Sequence, residues 1–153
     1  MHNNFLGNFQ RVVGKIFWAT FDAGVWGEEG GDQEQRMQLF TLRLRNELHV
    51  WYEAEQVDHS YRIHDITPAM LGVRGAPNFK AKAAETGPAL RFAVCVSQRV
   101  GPHAGERAAL LALGHAFVNY VKVLRGPLSR VVSAGAQQDL GRFSTWDIRG
   151  VCM

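Results

Sequence analysis

Two stretches of this chain repeat large apolar residues with the period of an α-helix, and this repeat constrains the fold most strongly. Within residues 33–53 and again within residues 102–125, the steps between successive members are 3, 4, 4 and 3. The repeating residues are Met37, Phe40, Leu44, Leu48 and Trp51 in the first stretch, and Leu110, Leu113, Phe117, Val121 and Leu124 in the second. Side chains spaced in this way share one helix face, which packs on a core. The sequence therefore predicts two long amphipathic helices.

A third helix is predicted over residues 4–22, where apolar side chains again recur at steps of three and four. Gly24 is expected to end it, because glycine commonly follows the last helical turn. Asp32 is expected to cap the next helix, with Gln35 three residues later in the position of a capping box. The chain between these two helices is rich in glycine and glutamate, and it is predicted to be a loop.

Two shorter segments alternate in a different way and are predicted to be strands. Within residues 57–66, Val57, His59, Tyr61 and Ile63 alternate with polar residues, and within residues 89–100 large apolar residues alternate with smaller or polar ones at Leu90, Phe92, Val94 and Val96. Alternation of this kind is typical of a half-buried strand. Together the patterns predict an α+β fold, a helix-dominated single domain over residues 1–153 with three main helices. The small antiparallel sheet of this fold is expected to pair residues 57–66 with residues 89–100.

The chain shows no sign of a membrane or secretory segment. It has no apolar run of the length that a membrane span needs, and its start lacks a basic stretch followed by an apolar one. Its two cysteines, Cys95 and Cys152, form neither a disulfide framework nor a metal-binding spacing. We therefore expect a cytoplasmic protein without contact to a membrane, in which Cys95 is an ordinary thiol, and we expect no cofactor and no metal.

Charge is distributed unevenly along the chain. Residues 1–65 contain 6 basic and 10 acidic side chains, whereas residues 66–153 contain 11 basic and 4 acidic ones. Arginine, which outnumbers lysine 13 to 4, binds phosphate through two parallel hydrogen bonds and stacks on bases. A high-GC genome would also raise arginine over lysine, but it does not obviously explain the asymmetry between the two halves.

The basic second half predicts a non-catalytic protein that binds nucleic acid, RNA in preference to DNA, and that associates with itself as a homo-oligomer. Binding of this kind would depend strongly on salt, because phosphate contacts release counterions. An acidic and a basic half on one domain can also meet head to tail between copies. The candidate nucleic-acid-binding residues are Arg74, Lys80, Lys82, Arg91, Arg99, Arg107, Arg125, Arg130 and Arg142.

The end of the chain resembles one family of nucleic-acid-binding structural proteins. The last predicted helix ends with Val123-Leu124-Arg125-Gly126, and a tail that contains Phe143 and Trp146 follows it. In this part the chain is similar to coat proteins of rod-shaped plant viruses, although it lacks the more specific Arg and Phe-Glu signatures of that family. The resemblance implies a viral nucleoprotein or coat-like role.

Two other classes of function remain open on the sequence. The acidic first half, with Trp18, Trp26 and Trp51, could be the contact surface of a protein-interaction module such as an accessory or inhibitor protein. A small enzyme could be built on Cys95 or on His64 beside Asp65. No established catalytic motif is present, so no catalytic residue is assigned.

Overall fold

The computed structural model of the protein describes residues 5–26, 30–98 and 106–125. Helices dominate these residues, as the sequence predicts, and a two-stranded antiparallel sheet accompanies them. There are four α-helices in the described part of the chain, one more than predicted. They are α1 (Gln10–Asp22), α2 (Gln33–Ala54), α3 (Ala83–Gln98) and α4 (Glu106–Arg125), and the strands are β1 (Gly72–Val73) and β2 (Ala76–Pro77).

The first two helices form where the apolar repeats predict them. A π-helical turn, Phe5–Phe9, leads into α1, which buries Phe17 at the centre of the core. Gly24 follows α1 with a φ of +60°, as a residue that ends a helix often does. At the start of α2, Asp32 is extended and its side chain accepts a 2.8 Å hydrogen bond from the N–H of Gln35. The five repeating residues of α2 are all buried: Met37, Phe40, Leu44, Leu48 and Trp51.

The predicted strand over residues 57–66 is wrong, and a local side chain explains why. Asp58 accepts hydrogen bonds from the N–H and the hydroxyl of Ser60, at 2.8 and 2.6 Å, and these bonds fold the chain into the 3₁₀ turn His59–Tyr61. The Ser60 hydroxyl and N–H hold the pKa of Asp58 below its usual value. An aspartate turn has therefore replaced the expected extended chain.

The rest of this segment is held by α2. The N–H of Ile63 donates a 3.2 Å hydrogen bond to the hydroxyl of Tyr52, and both residues are buried. Burial raises the pKa of Tyr52 to about 12. The segment thus packs as irregular chain against a helix, which supplies the polar partner that a neighbouring strand would have supplied.

The predicted strand over residues 89–100 is also wrong, because α3 (Ala83–Gln98) occupies most of it. The alternation in this segment is one of size: Phe92, Val94 and Val96 are large, whereas Ala93, Cys95 and Ser97 are small. All six are nevertheless buried. The helix is enclosed on most sides by α1, α4 and the N-terminal turn. Its exposed side is a narrow edge with Ala84 and Arg91, which is too narrow to show a helical period in the sequence. Residues 99–100 of the predicted strand lie outside the described residues.

The observed sheet lies elsewhere, in a short hairpin that precedes α3. Gly72 pairs with Pro77 and Val73 with Ala76 in antiparallel register. Gly72 has a φ of +71°, a conformation that other residues rarely adopt. The protein therefore contains a small antiparallel sheet, as the sequence predicts, but other residues form it.

The fourth helix, α4, packs on the core through the buried Gly114 and Val118, with Leu110, Phe117 and Val121 partly buried against it. A Cβ added to Gly114 would lie 2.6 Å from Cγ2 of Val94, so the two helices approach closely at this point. Gly114 and Val118 are buried, whereas Leu113, a member of the predicted apolar stripe, is 41% exposed. The prediction of this helix is confirmed, but its buried face is rotated toward Gly114 because glycine admits the closest approach.

Candidate functional site

An open groove of about 360 Å³ lies between α1, the β1–β2 hairpin and α4. Its volume is in the range of sites that hold small ligands or part of a larger one. Charged, aromatic and apolar side chains share its walls, and the lining residues are Lys15, Trp18, Ala19, Asp22, Arg74, Gly75, Pro77 and Leu110. This mixture distinguishes the groove from a simple packing defect.

One face of α1 provides half of the groove. Lys15, Trp18 and Asp22 follow one another at steps of three and four, so their side chains lie on the same side of the helix. Arg11 is exposed and precedes Lys15 by four residues, which extends this face with a second cation. At 1.5 Å per residue, Lys15 and Asp22 are about 10 Å apart along the helix, with Trp18 between them.

The indole of Trp18 is fixed against the hairpin. Its Nε1–H donates a 3.3 Å hydrogen bond to the carbonyl oxygen of Leu71, the residue before β1. Its ring meets Phe21 edge to face, with 5.7 Å between the centroids. Trp18 is half-buried, so an aromatic surface is held in place at the groove.

The opposite wall carries Arg74, in the turn between β1 and β2. One of its guanidinium nitrogens lies 3.0 Å from Oδ2 of Asp22. The side chain of Arg74 is still 64% exposed, and a guanidinium has five N–H donors. Arg74 can therefore contact a further anion without leaving Asp22.

Hydrogen bonds hold the segment that follows the hairpin close to α1. The N–H of Phe79 donates to the carbonyl oxygen of Gln10 at 3.0 Å, and the side-chain Nε2 of Gln10 donates to the carbonyl oxygen of Ala81 at 2.6 Å. Gly14 makes the approach possible, because a Cβ at this position would lie 2.9 Å from the backbone nitrogen of Asn78. The two walls of the groove are thus positioned before any ligand arrives.

Of the nine residues predicted to bind nucleic acid, Arg74 lines this groove. Lys82 lies 3.6 Å from Glu85, Arg91 pairs with Glu55, and Lys80 is exposed; none of these three is a lining residue. Arg107 and Arg125 belong to α4, but their side chains lie outside what the structure describes. The positions outside the described residues altogether are Arg99, Arg130 and Arg142.

The two differently charged halves of the sequence are joined by ion pairs within the fold. Arg74 and Arg91 come from the basic half, and they pair with Asp22 and Glu55 of the acidic half. Conversely, the acidic half supplies Lys15 to the groove. Among the described residues, charge counted along the chain therefore does not map onto two separate surfaces. A search for cations near aromatic residues at helical spacing on α1 would have found Lys15 and Trp18.

The structure also locates the residues of the alternative hypotheses. Trp51 is 8% exposed and packs on Phe92, so it is not available to an open contact surface. Cys95 is 8% exposed and disulfide-bonded, so the expectation of an ordinary thiol is wrong. His64 is exposed, and its neighbour Asp65 accepts a 3.1 Å hydrogen bond from Arg45. Among the described residues, no group of three or more potential ligands could hold a metal ion.

Comparisons with known proteins give no further guide. Neither a protein-family model, nor a curated protein, nor a solved structure matches this chain. The resemblance to virus coat proteins therefore rests only on the residues given above. Within the described ranges, no helix has both the length and the apolar character needed to cross a membrane. The cytoplasmic location stays a prediction.

Proposed function

We propose that this protein binds nucleic acid, RNA in preference to DNA, in the groove between α1 and the hairpin. The observation that carries the proposal is the placement of two cations, Lys15 and Arg74, in one groove with the indole of Trp18. Cations along the backbone path and an aromatic surface for a base are the two elements that nucleic-acid-binding grooves combine.

Each lining residue has a chemical role in this proposal. Lys15 offers a point charge to one phosphate, and Arg74 offers its remaining N–H groups to another. Trp18 offers its ring to a base, and stacking of this kind contributes about 1–3 kcal/mol per base. Because a base of any identity can stack, the arrangement supports binding with little dependence on sequence.

Binding of a short fluorescein-labelled single-stranded RNA, followed by anisotropy over a series of salt concentrations, tests the groove. We expect Lys15→Gln and Arg74→Gln each to weaken binding about five- to tenfold, roughly 1 to 1.4 kcal/mol. Two phosphate contacts predict a slope of about −1.4 for the logarithm of the binding constant against that of salt concentration, and each substitution should make it less steep by about 0.7.

Lys82→Gln is the matched control, because it removes one positive charge from an exposed residue outside the groove lining. It should change the affinity less than twofold. If Lys82→Gln weakens binding as much as Lys15→Gln does, a dispersed basic surface binds the RNA and the groove does not. Absence of binding at low salt would reject the proposed function.

Self-association is the second part of the proposal, and the outer face of α4 supports it. Leu113, Tyr120 and Val123 are 41%, 43% and 69% exposed on this helix. We expect light scattering to give a mass above that of the monomer, and Val123→Glu to lower it. Val50→Glu, at a residue of similar exposure on α2, should leave the mass unchanged. A wild-type protein that is monomeric at every concentration tested would contradict self-association.

A further inference from the structure

Asp22 is the one carboxylate among the described residues that line the groove. A negative charge in a site for phosphates weakens their binding, because the carboxylate and the phosphates repel each other. The proposed function uses Lys15, Trp18 and Arg74 and gives Asp22 no role. Its presence in the lining of the groove, next to Arg74, therefore requires a separate account.

The helix itself does not account for Asp22. It is the last residue of α1, where the helix dipole is negative and an acidic side chain is unfavourable. Its ion pair with Arg74 is largely open to solvent on the arginine side, and exposed ion pairs add little to stability. Neither the helix dipole nor the ion pair therefore gives an aspartate at this position much benefit to the stability of the fold.

An unpaired base offers Asp22 something that a duplex does not. Amino and imino groups on the pairing edge of a base are hydrogen-bond donors, and in a duplex they are already bonded to the opposite strand. An ionised carboxylate has about four acceptor positions, so Asp22 can hold Arg74 and also accept from a base beside Trp18. A duplex instead brings twice the phosphate charge per length of axis toward the same carboxylate.

We propose that Asp22 is the specificity-determining residue of the groove, which makes it select a single strand with unpaired bases over a duplex. The inference rests on the proposed function and names the form of nucleic acid that the groove takes. Asp22 repels the phosphates of both ligands and so weakens the binding of both. For the single strand, a hydrogen bond from a base to Asp22 and stacking on Trp18 offset this loss of affinity.

Paired measurements on one RNA sequence, as a single strand and as a duplex of the same length, test this selectivity. We expect wild-type protein to bind the single strand more tightly. Asp22→Asn keeps the shape of the side chain and removes its charge, and it should lower the ratio of single-strand to duplex affinity at least threefold. Asp22→Ser, which also removes the charge, should act in the same direction. Thermal unfolding checks that both variants are folded at the assay temperature.

Asp65→Asn is the control, because Asp65 is also an exposed aspartate paired with an arginine, at 3.1 Å from Arg45, but it does not line the groove. It should leave the affinity ratio unchanged. If wild-type protein binds the single strand and both Asp22 variants keep the wild-type ratio, the selectivity inference is overturned while the proposed function stands. If wild-type protein binds neither RNA, the proposed function itself fails.

Discussion

Arg91→Met is expected to lower the free energy of unfolding by about 2–4 kcal/mol, because it leaves a buried carboxylate without its partner. The side chain of Glu55 is 6% exposed, and Arg91 of α3 is the cation that pairs with it. The guanidinium carbon also lies 5.3 Å from the centroid of the Trp51 ring, and this cation–π contact is lost as well. Methionine retains much of the apolar packing of the arginine stem, so the loss of stability reflects mainly the removal of the positive charge.

Chemical denaturation of Arg91→Met beside Lys82→Met measures this loss. Lys82 also pairs with a carboxylate, that of Glu85, whose side chain is 15% exposed, but the lysine side chain is 86% exposed. Because the backbone N–H of residue 82 still donates a 2.9 Å hydrogen bond to Glu85 after the substitution, loss of the lysine should change stability by less than about 0.5 kcal/mol. At temperatures where Arg91→Met is folded, its affinity for RNA should equal that of wild type. A stable Arg91→Met variant that has lost RNA binding would show instead that Arg91 belongs to the binding surface, as the sequence predicts.

Gly14→Ala is expected to destabilise the protein by about 1–3 kcal/mol through overpacking. The new Cβ would lie 2.9 Å from the backbone nitrogen of Asn78 and 3.1 Å from that of Phe79. Because these atoms belong to backbone, relief requires that the chain after β2 move away from α1. Alanine favours helix over glycine by about 1 kcal/mol, so a net loss of stability shows that the close approach outweighs the gain in helix propensity.

Gly7→Ala is the control for this substitution. Gly7 belongs to the π-helical turn before α1, and a Cβ there would meet no atom within 4 Å. We expect thermal unfolding to give a melting temperature for Gly7→Ala at or above that of wild type. If Gly14→Ala is as stable as Gly7→Ala, the contact between α1 and the segment after β2 is looser than the structure has it.

Local signals in the sequence identify the parts of the fold that local interactions determine. The capping by Asp32 and the apolar period of α2 are properties of one helix, and both predictions are confirmed. Gly24 after α1 belongs to the same class. Such features are readable because the residues that cause them lie within a few positions of one another.

Prediction failed where burial depends on distant parts of the chain. The segment of α3 from Phe92 to Ser97 alternates large and small residues, and a strand with one polar face shows a similar pattern. Whether the small residues face water or another helix depends on α1 and α4, which the segment itself does not encode. In residues 57–66, the hydrogen bond that the side chain of Asp58 accepts from Ser60 determines the turn. The alternation of apolar and polar residues does not reveal this bond.

The candidate groove was only partly predictable for a related reason. Arg74 was among the predicted binding residues, because it belongs to the basic half of the sequence. Lys15 and Trp18 were not, since they lie in the acidic half and join Arg74 only through the fold. The pairs Arg74–Asp22 and Arg91–Glu55 likewise cross between the halves. Charge summed along a chain is a guide to binding only where sequence neighbours remain neighbours in space.

The enclosure of α3 affects how this protein emerges from a ribosome. The helix is covered by α1, which is made before it, and by α4, which is made after it. Until α4 has left the exit tunnel, Val94 lacks the neighbour that Gly114 provides. A nascent chain that has reached only the end of α3 therefore presents an apolar helix side to solvent or to a chaperone, and completion of α4 ends that exposure.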